Sequence, residues 1–450
     1  MTAPRVLSVI HAPHLGGPQR RNLALARQFA ASGAADLIVA LPEGPGAHAL
    51  RAAGVDVRAV PLGRLRARPD PRVQLATLVG WPGDVARISA LIRATQADVV
   101  LLNGLANPQA ALAARRTGAA LVWQILDTRT PPALARLLRP CVRAWADCVM
   151  TTGTVLAAQQ LGVDPAGEVG PLQGRVVSFA PPVDAERFRP DPALRAAARA
   201  ELGVAGRPVV GMIANLTPQK GHDAFLDAAA ALRRTRPDVA FIWLGARLAG
   251  QEAYADRLAR RAQALGLADL AVRAPGARVH LLAQAFDVAW LTSPLRSEGI
   301  PTAAGEAMAL ARPLAGFRVG ALTDLVPPDQ HALLHRPGDA ASLAATTARL
   351  LADPSARAAI GAAARRAAQR VCDPRQCAAA HLQAFEIALG HRFETSGGSN
   401  RQSQLAARER LEGFNQMPEN YTERAGQADV QDGCRRGRQT RSHAEAKERA

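Results

Sequence analysis

Between residues 1 and 390, short apolar runs rich in β-branched side chains alternate with alanine-rich stretches. The alternation predicts a repeated strand–helix order. Strands are predicted over residues 6–10, 36–40, 98–102, 120–125 and 175–179, and again over 208–213, 239–244, 270–273, 287–291 and 313–315. Helices are predicted between them, among others over 19–31, 84–94, 222–234 and 252–265. Several strand runs are apolar at consecutive positions, so both of their faces need cover. Parallel sheets with helices on both sides meet that need.

The alternation breaks once, at Pro181-Pro182-Val-Asp-Ala-Glu-Arg-Phe-Arg-Pro190, and then restarts. So many prolines make a poor helix and a good linker. The expected architecture is α/β, with two doubly wound, Rossmann-like domains facing a cleft, residues 1–185 and 186–374. Ligands bind such sheets at the carboxyl ends of the strands. From about His391 apolar periodicity fades into Ser, Gly, Gln, Glu and Arg. Residues 391–450 therefore read as a disordered tail, and Arg435-Arg436-Gly-Arg438 within it as solvated.

Composition sharpens this picture only in places. The chain has 450 residues, 48% of them apolar, enough for two domain cores. The formal net charge of +17 invites a nucleic-acid reading, but aromatic residues make up only 4% and the basic residues are spread along the chain. Nucleic-acid modules concentrate charge and add stacking aromatics, so no nucleic-acid partner is expected. Phosphates and an anionic membrane surface fit the charge better. No run approaches the ~20 apolar residues of a membrane helix, and the chain shows no leader of the secretory kind. The expected place is the cytoplasm or the inner face of the cell membrane. Cys141, Cys148, Cys372, Cys377 and Cys434 have neither metal-like nor redox-like spacing and read as buried or inert.

Three stretches carry candidate chemistry. His14-Leu-Gly16-Gly17-Pro18-Gln-Arg follows the first strand and opens a helix. Its glycines let backbone approach a ligand, and the helix start offers N–H groups to an anion. Asn215-Leu-Thr-Pro-Gln-Lys220-Gly221-His222 lies at the same kind of junction in the second half. Of the 55 basic residues only Lys220 and Lys447 are lysines, so lysine at 220 suggests a compact charge set against phosphate. Ser293-Pro-Leu-Arg-Ser-Glu298-Gly299-Ile300-Pro301-Thr302-Ala-Ala-Gly-Glu306-Ala-Met308 follows the strand at 287–291. It puts Glu298 in a loop at a carboxyl end and Glu306 one turn inside a helix starting near Thr302. Two carboxylates so placed can accept hydrogen bonds from vicinal hydroxyls, and the helix start near Ile300, Thr302 and Ala303 can hold a diphosphate.

Together these stretches resemble the retaining GT-B glycosyltransferases of family 4. Pro182–Pro190 at the junction and Arg336-Pro-Gly-Asp-Ala340 support the likeness, which covers roughly residues 5–390. The resemblance implies a nucleotide-diphosphate sugar as co-substrate, no other cofactor and no metal. Lys220 would neutralise the diphosphate, Glu306 would bind ribose hydroxyls, and Glu298 would hold hydroxyls of the transferred sugar. Gly16 and Gly17 would approach the phosphates, and Asn215, Gly299, Ile300, Pro301 and Thr302 would complete the donor site. A last helix near 376–389, within a crossover segment 375–390, would return to the first domain.

The chain also departs from the family pattern. Most relatives carry arginine where Asn215 stands, so one charge toward the diphosphate is missing. Asn103 and Leu126-Asp127 stand where relatives often have histidines. Asp127 is the candidate to face the acceptor, a glycan, glycolipid or small molecule, or else it caps a turn. Arg64-Leu-Arg66-Ala-Arg68-Pro-Asp-Pro-Arg72, ahead of the apolar stretch 73–81, is a candidate contact for an anionic lipid surface or phosphorylated glycan, or a solvated loop. Two other functions stay open: a non-catalytic sugar-nucleotide-binding homologue, and a sugar-nucleotide epimerase on the same scaffold.

Overall fold

The computed structural model describes residues 3–63, 71–105, 107–126, 128, 130–162 and 172–395. Its first sheet has strands β1 Arg5–Val9, β2 Asp36–Leu41, β3 Asp56–Ala59, β4 Val99–Asn103, β5 Ala120–Ile125, β6 Cys148–Thr152 and β7 Val176–Phe179. Its second has β8 Val209–Ile213, β9 Ala240–Leu244, β10 Ala271–Arg273, β11 Val288–Leu291, β12 Leu314–Phe317 and β13 Leu334–His335. The orders are β3-β2-β1-β4-β5-β6-β7 and β10-β9-β8-β11-β12-β13, and every pairing between these strands is parallel. The α/β class and the two doubly wound sheets expected from the alternation are therefore present. In each sheet the order reverses beside the first strand, between β1 and β4 and between β8 and β11. Such a switch point opens a crevice at the carboxyl ends of the strands.

Buried strands were the legible ones. In β4 and β5 every residue is buried, so sequence and structure agree there to within a residue. β3 carries Asp56 and Arg58 on an exposed edge and offered no apolar run. β6, with the sequence Cys-Val-Met-Thr-Thr, is buried throughout but too short and too polar at its end to stand out. The helix expected over 84–94 is longer, Pro71–Thr95, and continues through Pro82. A proline removes one helical hydrogen bond and clashes with the preceding turn. Here packing against the helix Pro108–Thr117 carries the segment through that defect.

After β7 the chain crosses to the second domain through residues 180–190, which contain no strand or helix. It returns in the helix Pro374–Thr395, longer than the 376–389 expected. The two crossings are tied where Val183 N donates to Cys372 O at 2.8 Å. The returning helix belongs energetically to the first domain: Cys377, Ala384, Phe385 and Ala388 are buried with Leu25, Phe29 and Val122. Phe385 meets Phe29 edge-on with ring centroids 6.2 Å apart.

Cys148, Cys372 and Cys377 are buried, and burial pushes each thiol up to about 12, which keeps them unreactive. Cys434, the run 435–438 and the segment 64–70 lie outside the described residues. Among the described residues no helix is long and apolar enough to cross a membrane.

Candidate functional site

The chain turns from β1 into the helix Gly17–Ser32 over residues 10–16. Gln19 braces this loop from inside the helix. Its side-chain oxygen accepts from Gly16 N at 3.0 Å, and its Nε2 donates to Ala12 O at 2.7 Å. The loop thus presents a fixed backbone at the carboxyl end of β1. A Cβ placed on Gly17 would lie 3.9 Å from Thr302 Oγ1, so the Gly-Gly loop of the first domain faces the helix start of the second.

In the second domain three local devices converge. Residues Pro218–Lys220 form a short turn that ends at Gly221, whose φ is 70°. A side chain there would lie 1.8 Å from Thr292 O, so glycine lets the turn pack directly on the end of β11. Thr292 Oγ1 donates to Gly221 O at 2.9 Å and fixes that packing. The next loop carries Glu298, which is buried and accepts from Lys220 Nζ at 2.6 Å and from Ser293 Oγ at 3.0 Å. Pro301 precedes the helix Thr302–Ala309, which puts Thr302 and Glu306 four residues apart on one helix face.

Glu306 is buried, and burial pushes its carboxyl up to about 6 against the opposing charges of Arg20 and Arg187. Arg20, on the first turn of the Gly17–Ser32 helix, reaches across the cleft and donates Nη1 to Glu306 Oε1 at 3.0 Å. Both candidate carboxylates are thus already paired with cations, one from its own domain and one from the other.

Further contacts hold the domains together on the same side. Thr154 donates both N and Oγ1 to Asp324 Oδ2, at 2.7 and 2.9 Å. Gly153, with φ of 84°, has room for no Cβ beside Ala321. A side chain on Gly299 would overlap Thr152 Oγ1 and Leu126 O. Thr128 Oγ1 donates to Glu298 O at 3.4 Å, and Arg296 Nη2 to Thr130 O at 3.2 Å. Asp127 lies outside the described residues, and its neighbours Leu126 and Thr128 meet the loop that carries Glu298 and Gly299.

Asn215 is used partly for structure, its oxygen accepting from Ala246 N at 3.0 Å. Asn103 is used inside the first domain. It is buried, donates to Ser8 Oγ at 2.9 Å, and accepts from Arg21. Arg21 also donates to Gln124 Oε1 at 2.6 Å and lies 5.1 Å from the centre of the Phe179 ring. Gln124 bonds His381 Nε2 of the returning helix at 2.9 Å. Burial lowers Arg21 to about 10 and His381 to about 3. Asn103 thus anchors a core network here.

Of the sequence-proposed residues, Gly16, Gly17, Lys220, Glu298, Gly299, Ile300, Pro301, Thr302 and Glu306 gather where the two domains meet. Sequence reasoning passed over Arg20, although it sits three residues after Gly17 and therefore beside it on the helix. It also passed over His11, whose Nδ1 lies 2.8 Å from Asn107 Nδ2 at the crevice between β1 and β4. A histidine directly after a strand that opens a switch point was the available signal.

Comparison with known proteins bears on the family and the fold. A family model described as "Glycosyl transferases group 1" matches residues 207–353, and one described as "Glycosyl transferase 4-like domain" matches residues 16–172. The chain is 31% identical over 340 residues to a D-inositol 3-phosphate glycosyltransferase of Frankia alni, covering 70% of this chain and 80% of that protein. It is 33% identical over 193 residues to a GDP-mannose-dependent alpha-(1-6)-phosphatidylinositol monomannoside mannosyltransferase of Mycolicibacterium smegmatis, covering 41% of this chain. That match spans 49%, about half, of the mycobacterial protein's length. In fold the chain is similar to Anabaena Alr3699/HepE in its crystal structure with UDP-glucose, with a TM-score of 0.68 at 22% identity over 83% of this chain and 97% of that one. It is likewise similar to sucrose-phosphate synthase from Thermosynechococcus elongatus, with a TM-score of 0.66 at 17% identity over 88% and 100% of the two chains. At such identities the likeness is one of fold, and that fold is GT-B.

Proposed function

The chain belongs to the group 1 glycosyl transferases, family 4, and on that premise we propose that it moves a hexose from a nucleotide-diphosphate donor to a hydroxyl acceptor with retention of anomeric configuration. The observation that carries this reading is the convergence of Lys220, Glu298 and Glu306 around the start of the Thr302–Ala309 helix. A carboxylate pair suits the hydroxyls of ribose and hexose. A lysine and a helix start suit the diphosphate.

In the reaction the bond between the sugar's anomeric carbon and the β-phosphate oxygen breaks, and its electron pair stays on that oxygen. The acceptor oxygen bonds to the same carbon on the same face and passes its proton to the departing phosphate. Positive charge grows on the sugar and negative charge on the diphosphate. Catalysis then consists in fixed donors aimed at the diphosphate, so Lys220 and the helix N–H groups do most at the transition state. Fixed cations do the work a divalent ion would do, and turnover is expected to survive a chelator.

The acceptor is proposed to be a phosphorylated cyclitol or a glycolipid built on one. The names of two relatives share that chemistry, and a strongly basic chain favours an anionic acceptor or membrane surface. The test is a panel of UDP- and GDP-hexoses offered with inositol phosphate or phosphatidylinositol glycolipid in the presence of EDTA. Transfer is expected from at least one donor, with Lys220→Ala lowering kcat by about 10²-fold or more. Donor binding without transfer to either acceptor would point to a binding protein, and an epimerised donor to an epimerase.

A further inference from the structure

Asn215 is uncharged, and the loop that follows it brings one cation, Lys220, to Glu298 at the donor side. In the second domain the oxygen of Asn215 is engaged by Ala246 N, and Arg187, which also acts on Glu306, donates to Ala277 O. The first domain does carry a cation at the right place. Arg20 lies one turn into the helix that starts at Gly17, and Gly17 faces Thr302 across the cleft. The guanidinium already reaches across to Glu306, at 3.0 Å, and its side chain keeps 43% of its exposure, so it has room to move.

The electrostatics of the gap point the same way. Two helix N-termini, at Gly17 and at Thr302, lie side by side across the cleft. Each carries roughly half a positive charge. Like poles brought together repel unless an anion lies between them. The carboxylates of Glu298 and Glu306 sit beside that gap, each already bridged to one cation. A ribose diol donating to Glu306 takes over the oxygen that Arg20 now holds. The freed guanidinium then has one nearby anionic partner, the diphosphate, for which its planar fork is well matched.

We propose that Arg20 is the second cation of the donor site, supplied by the opposite domain. In the donor-free protein it rests on Glu306. With donor bound it moves onto the diphosphate and stabilises the charge that builds there as the sugar leaves. Because it comes from the other domain, full stabilisation of the leaving group requires the cleft to be closed. This inference rests on the transferase reading above and adds to it a residue and a coupling.

The test is titration calorimetry of wild type, Arg20→Ala, Asn215→Arg and the double variant with uridine, guanosine, UDP and GDP. Arg20→Ala is expected to weaken the binding nucleoside diphosphate about tenfold or more, the loss of a hydrogen-bonded charge pair. It should leave the nucleoside as tight as before or tighter, since Glu306 is released. Asn215→Arg in the Arg20→Ala background should recover most of the lost affinity, a rescue that a merely structural role for Arg20 does not give. With donor and acceptor, Arg20→Ala should lower kcat by a larger factor than it raises the donor KM.

The opposite sign overturns the proposal. If Arg20→Ala tightens nucleoside and diphosphate alike, Arg20 is only a plug on Glu306. An unchanged diphosphate affinity, or a folded double variant with no recovery, overturns it as well. If wild type binds neither UDP nor GDP while its melting transition is intact, the donor-site reading itself falls and takes this inference with it.

Discussion

Glu306 shows how much a single side chain can be asked to carry. It is buried, and its carboxyl is pushed from 4.5 up to about 6, with burial the leading cause. The folded protein therefore holds a proton that the unfolded chain releases between those values. By linkage, stability falls as pH rises from about 4.5 to about 6 and stays lower above that window. The shift corresponds to about 2 kcal/mol. His222 and His381 contribute the opposite slope: burial lowers them to about 4 and about 3, so their cost grows as pH falls below 6.5. Comparing wild type with Glu306→Gln in urea melts removes the histidine contributions. The wild type should lose about 2 kcal/mol relative to the variant between pH 4.5 and 7. A flat difference would mean that Glu306 titrates alike in the folded and unfolded chains. Donor affinity should fall below about pH 6 in wild type, where Glu306 takes up its proton.

At the scale of elements, the returning helix Pro374–Thr395 decides where one domain ends and another begins. It is the last of the described elements yet completes the core of the first domain. Phe385→Ala leaves a cavity against Phe29 and His381 and should cost about 3–5 kcal/mol. The cost should appear in the first domain, read as faster hydrogen exchange in β5 and β7, which this helix contacts. Exchange confined to the second domain would contradict that assignment. The elements also mark what was legible in the chain. β1, β4 and β5 announce themselves because burial on both faces demands largely apolar runs. β3 and the proline-containing stretch of Pro71–Thr95 do not, because an exposed edge and a packed proline follow from neighbours rather than from local preference.

At the scale of the whole molecule, the site exists only where two domains meet. Beyond Arg20 and Glu306, the closure is held by Thr154 on Asp324 and by close glycine contacts at Gly153 and Gly299. By holding the two domains together such contacts would keep water from the donor without adding chemistry. Asp324→Ala should therefore leave the affinity for nucleoside nearly unchanged, lower transfer several-fold, and raise the fraction of donor lost to hydrolysis. The ratio of hydrolysis to transfer, measured with saturating acceptor, checks this. A fall in nucleoside affinity equal to the fall in rate would assign Asp324 to binding instead.

The sequence by itself determined the repeated strand–helix order, the break at residues 181–190 and the motifs that carry Lys220, Glu298 and Glu306. Each of these is local: a few adjacent residues set strand propensity, a turn or a helix start, and the physics acts within that span. Only the tertiary structure decided which groups face one another. Arg20 and Glu306 lie 286 positions apart, and no local rule relates them. Their pairing follows from two parallel sheets meeting at the carboxyl ends of their strands. The same packing turned Asn103 into a core residue, because its amide found Ser8 and Arg21 inside the first domain.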